Sequence, residues 1–187
     1  MNRRSLLQLT AWLASGAAAS ACATASAPSY RVSAEQLQDA VTQRFPLRYP
    51  VPGLFDLDVQ APRLRLLPEL NRIAGAMAVE AAGPALCRSY AGEFELDFGL
   101  RYEPADQSIR AHSLRFHSLR FPGLPAQAAA VVEGYGSALA QQAFLEVVLH
   151  RLRPRDLALA DAMGLQPGAI TVTPQGLVIG FVNKHTP

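Results

Sequence analysis

Cys22 is the residue whose neighbours specify a chemistry most directly. Arg3 and Arg4 precede a largely apolar stretch from Ser5 to Gly16, and Ala19-Ser20-Ala21 sets three small side chains just before the thiol. A positive start, an apolar middle and small residues at a cleavage point make an export leader, and a cysteine exposed by that cut is an acceptor for lipid. The expectation is a lipoprotein signal peptide over residues 1–21, lipidation at Cys22, a tether over 22–29 and a single domain over 30–187. Ala23-Thr24-Ala25 offers an ordinary A-x-A site as the alternative, which exports the chain without an anchor. The apolar stretch is shorter than the roughly 20 residues of a membrane span.

Other chemically able residues fit a reaction less well. His112 and His117, with Glu93, Glu95 and Asp97 across a turn, have the composition of a metal site. The simpler expectation is a set of solvated cross-strand pairs between those acids and Arg110, His112 and Arg115. His150 reads as a partner for a helix C-terminal dipole. Gly134-Tyr135-Gly136-Ser137 lies in a helical pattern rather than on a strand-to-helix elbow, and neither phosphate-binding glycine motif occurs. Cys87 is the one cysteine left once Cys22 carries lipid, and reads as a buried apolar filler. Neither an enzyme nor a cofactor or metal is expected. The chain holds 17 basic and 15 acidic side chains, and loss of residues 1–21 removes Arg3 and Arg4 and no acid, leaving the signs equal. A neutral domain without clustered arginines lacks the field that a nucleic-acid partner requires.

The elements around these residues follow from spacing. Ser33-Ala34-Glu35-Gln36 is a capping box, and Leu37, Val41 and Phe45 give the short helix behind it one apolar stripe ending at Pro46. A period of two then takes over: Leu57 and Val59, Leu64 and Leu66, and Ile73, Met77, Val79 and Ala81. From Tyr90 to Tyr102 the even positions are apolar or glycine and the odd ones mostly charged, as in an antiparallel strand with one wet face. The return strand, Ile109 to Phe121, changes phase twice, which predicts two bulges or a strong bend. A run from Leu124 to about Leu152, free of proline after Pro125, predicts one long helix, with Gly134 and Gly136 as places of close approach. Asp156 can cap a short helix running to Met163, and Ala169–Thr173 with Leu177–Val182 reads as a closing hairpin.

The resulting class is α+β, a curved antiparallel sheet against a long helix with a short N-terminal helix. Phe94, Leu96, Phe98, Leu100, Phe116 and Phe121 of the sheet and Val131, Tyr135 and Leu139 of the helix line an apolar groove. The small residues Ala128, Gly134, Gly136 and Ala140 leave room in it for an acyl chain. Arg48 and Arg72 are placed at its mouth for polar head groups. The alternative is a filled core, which makes the chain a non-enzymatic interaction or assembly module of the envelope.

Several strings resemble the YceB-like family of bacterial lipoproteins. They are Tyr30-Arg31-Val32-Ser33, Phe45-Pro46, Val51-Pro52-Gly53-Leu54, Gly164-Leu165 and Pro167-Gly168, and the resemblance spans residues 30–182. It implies a fold similar to the tubular lipid-binding (TULIP) proteins, a long helix wrapped by a curved sheet. It also implies an outer-membrane lipoprotein facing the periplasm, with phospholipid or fatty acid as ligand and no catalytic residues. Ala23 rather than aspartate after the cysteine fits outer-membrane sorting.

Overall fold

The computed structural model describes residues 28–184, so Cys22 and the leader lie outside the described residues. β1 (Ser29–Ser33) leads into α1 (Ala34–Thr42), whose N-terminus is closed as the residue types dictate: Ser33 Oγ accepts from the Gln36 amide and Gln36 Oε1 from the Ser33 amide. Leu37 and Val41 are the buried stripe of that helix.

A curled antiparallel sheet follows, built from β2 (Leu47–Val51), β3 (Phe55–Val59), β4 (Arg63–Leu67), β5 (Arg72–Ala82), β6 (Tyr90–Glu103) and β7 (Ser108–Arg120). β3 and β4 are one strand broken at Gln60-Ala61-Pro62, since both pair with β5, β3 with its end and β4 with its start. Pro62 cannot donate to a ladder, and the break falls at it. β6 and β7 pair over their length with two register shifts, each leaving one extra residue on β7, near Ser113 and at His117. The double change of phase in the sequence is therefore two bulges, and they bend the sheet.

The 124–152 run is not one helix. α2 (Ala126–Phe144) ends at Leu145, which turns extended, and Glu146 takes a left-handed φ of 62°. The chain then joins the sheet as β8 (Val148–Arg151), where Glu146 N donates to Ala111 O and Ala111 N to Val147 O. The edge of β7 needs a partner, and the apolar Leu145–Leu149 segment supplies it while burying Val147 and Leu149. α2 thus spans about 28 Å at 1.5 Å per residue, well short of the roughly 46 Å that the 14 residues of β6 can cover. The helix roofs part of the sheet rather than being wrapped along its whole length. Among the described residues no helix is long and apolar enough to cross a membrane.

α3 (Pro154–Ala162) starts two residues before the expected cap. Asp156 sits at its third position and accepts from the Arg153 amide. β9 (Leu165–Thr173) and β10 (Gly176–Asn183) form the closing hairpin, and β1 adds to β10 to complete a second, three-stranded sheet. Two side-chain amides seal strand edges. Gln38 of α1 receives the Leu64 amide of β4 and donates to Pro62 O just before that strand; Asn71 receives the Val172 amide and donates to Ile170 O on β9.

Candidate functional site

The inner face of the large sheet is assembled by period two. Ile73, Met77 and Val79 of β5, Phe94, Leu96 and Phe98 of β6, and Ile109, Ala111 and Leu119 of β7 are all buried. α2 packs along β7 and meets this face with Val132, Gly136, Leu139, Ala140, Ala143 and Phe144. Gly136 is required there: a Cβ on it would stand 2.4 Å from Phe116 Cζ. Aromatic rings fill the space beneath. Phe98 stacks on Phe144 with centroids 6.0 Å apart, Phe94 on Phe116 at 5.9 Å, and Phe45 reaches Phe144 at 5.6 Å.

Of the residues expected to line a groove, Phe94, Leu96, Phe98, Phe121 and Leu139 lie in this core, and Leu100 and Phe116 are half-buried against it. Val131 and Tyr135 do not join them. They are 40% and 42% exposed on the opposite side of α2, because the helix turns its small residues rather than its bulkiest ones toward Phe116. Gly134 likewise faces open space.

The acids of β6 divide. Glu93 and Glu95 lie exposed on the outer face, but opposite Arg120 and Ser118 rather than the expected Arg110, His112 or Arg115, and Asp97 is 4% exposed and Arg72, on β5, 8%. The two form an ion pair through Arg72 Nε and Asp97 Oδ1. Arg72 Nη2 also donates to Ser113 O at 2.5 Å, and His117 Nε2 lies 2.5 Å from Asp97 Oδ2. Burial pushes the Asp97 carboxyl upward in pKa, yet the hydrogen bonds and charges of Arg72 and His117 outweigh it and hold the group below its ordinary value. Arg72 is therefore not at a groove mouth. It fastens a carbonyl at one bulge while Asp97 holds the residue at the other, and between the two bulges Phe116 is directed at Gly136. Sequence parity alone put Asp97 on the wet face. The signal for its burial was its pairing with an arginine at the start of the preceding strand, which no local pattern carries.

Three further expectations change. Arg48 pairs with Asp56 at 3.1 Å and lies near Asp58, on the solvated side of β2 and β3. His150 belongs to β8 rather than a helix end; it lies 3.3 Å from the Tyr30 hydroxyl, and burial lowers its pKa. Cys87 is exposed, in the connection between β5 and β6. Among the described residues no group of His, Cys, Asp and Glu is arranged to hold a metal ion.

No protein-family model matches the chain, and no curated protein matches its sequence. Among solved structures it is similar to the crystal structure of a lipopolysaccharide binding protein, with 13% identity and a TM-score of 0.30. The match covers 79% of this chain and 46% of that one, so the chain spans under half the length of this neighbour.

Proposed function

We propose that the protein is an exported lipoprotein, acylated on Cys22 and held at the periplasmic face of the outer membrane, that binds a hydrophobic ligand between α2 and the inner face of the sheet. A phospholipid or fatty acid is the ligand class, and the chain acts as a non-enzymatic binder or carrier of the YceB-like, TULIP-like kind. One observation carries this reading. A continuous apolar surface, with Phe94, Leu96, Phe98 and Phe116, lies under a single helix that meets it through Gly136, Ala140 and Ala143. Displacing that element from β7 uncovers the part of the surface around Phe116, and an acyl chain taking its place gains about 0.8 kcal/mol per buried methylene.

The second reading, an anchored interaction module with a filled core, is favoured by the complete burial of Phe94, Phe98 and Phe144. Native mass spectrometry of the protein purified without detergent separates the two. The carrier reading expects a bound mass in the fatty-acid or phospholipid range that delipidation removes and added fatty acid restores. A bare mass under every extraction condition, with no uptake of added fatty acid, leaves only the interaction module.

A further inference from the structure

The outer face of the large sheet carries a row of alanines, Ala74, Ala76 and Ala78 of β5, between two rows of opposite charge. Arg63 and Arg65 of β4 stand on one side, and Glu93 and Glu95 of β6 on the other, all four exposed. The register aligns them across the strands: Arg63 opposite Ala76 opposite Glu95, Arg65 opposite Ala74 opposite Asp97, and Ala78 opposite Glu93.

Complementary charges meet at several places around the large sheet, as in Arg48 with Asp56, Arg110 with Asp106 and Arg101 with Glu146, although Glu93 and the Arg120 opposite it on β7 form no ion pair. Here the alanine strand keeps the rows two strand spacings apart, roughly 10 Å. Among the described residues Arg63, Arg65 and Glu93 make no side-chain hydrogen bond or ion pair, and Glu95 only receives the Ser118 hydroxyl at 3.3 Å. Between the rows lies a trough of about 450 Å³ lined by Gln60, Arg63, Ala76, Ala78, Glu93 and Glu95. A smaller space of about 130 Å³, which also touches Arg63, Ala76 and Glu95, extends it toward Arg65 and His117.

We infer that this trough binds a short zwitterionic peptide lying across the strands, its carboxylate on Arg63 and Arg65 and its ammonium on Glu93 and Glu95. Guanidinium groups offer paired donors to a carboxylate, and the two glutamates accept all that an ammonium donates. An extended chain advances about 3.3 Å per residue, so three residues bring opposite termini across the roughly 10 Å gap. Phosphoethanolamine, with its charges only a few bonds apart, does not reach both rows. The methyl floor lets a peptide backbone descend onto the sheet. The site is on the face opposite α2 and does not depend on the lipid reading.

Trialanine is the probe, titrated against the full domain by NMR or calorimetry. Trialanine is expected to bind at least tenfold more tightly than either its N-acetylated or its C-amidated form, because each cap removes one of the two charges. Arg63→Glu with Arg65→Glu abolishes binding. Adding Glu93→Arg and Glu95→Arg to that variant restores it, with the peptide reversed, which a merely damaged surface would not do. Equal binding of the capped peptides, no binding of trialanine at about 10 mM, or binding of phosphoethanolamine alone overturns the proposal.

Discussion

Three side chains, Arg72, Asp97 and His117, tie the bulged stretch of β7 to β5 and β6. The extra residues that bulge β7 disrupt its ladder, and Arg72 reaches over Gly99 to the carbonyl of Ser113, its Nη1 standing 3.6 Å from where a Gly99 Cβ would be. Removing one partner of such a buried pair strands the other, so Asp97→Ala is expected to cost about 3 kcal/mol or more in urea unfolding. Arg72→Met with Asp97→Leu removes both charges and recovers most of that loss. The pH dependence follows from the direction of the shift. A carboxyl held below its ordinary value contributes fully above about pH 3.9 and loses that contribution as pH falls through its folded value. The stability gap between wild type and Asp97→Asn should therefore be present at neutral pH and close in strong acid, as read by urea titrations at a series of pH values.

At the scale of elements, two glycines of α2 with only Tyr135 between them have opposite roles. Gly134 has nothing near its missing Cβ, so Gly134→Ala is expected to stabilise by about 0.5–1 kcal/mol through helix propensity alone. Gly136→Ala drives a methyl into the Phe116 ring and is expected to destabilise by about 1–3 kcal/mol. Thermal melts of the two single variants, shifting in opposite directions, check the placement of the helix. The same helix shows where sequence reading stops. Its start and buried positions Val132, Leu139 and Ala143 follow from spacing, but its end does not, because Leu145-Glu146-Val147 contains neither proline nor glycine. What ends it is the unfilled edge of β7, a tertiary demand. The two bulges of β7, in contrast, were legible as changes of parity, because a period-two pattern records every inserted residue. Asn71 shows the opposite case: its φ of 52° and its amide on β9 serve a partner about a hundred residues away. Asn71→Ala is expected to cost about 1–2 kcal/mol by urea unfolding, from two hydrogen bonds lost and a left-handed conformation that alanine resists.

At the scale of the whole molecule, the export leader and the anchor are readings of residues 1–29, and a fractionation experiment tests them. Wild type is expected with the outer membrane and to incorporate labelled palmitate, whereas Cys22→Ser is expected in the soluble periplasm without label. Retention of Cys22→Ser in the membrane would remove the anchor from the account. The inner face was legible as a set of apolar positions, yet alternation marks which side chains turn inward without saying whether space remains between them. That depends on small residues such as Gly136 meeting rings such as Phe116 from a different element, and no periodicity encodes it.

The sealed strand edges bear on how such molecules behave in a crowd. A bare rung of amide and carbonyl groups invites a neighbour's backbone to stack onto it and start a ribbon. Gln38 and Asn71 each occupy one such rung with a single carboxamide of their own chain. A neighbouring backbone therefore finds those two rungs already taken.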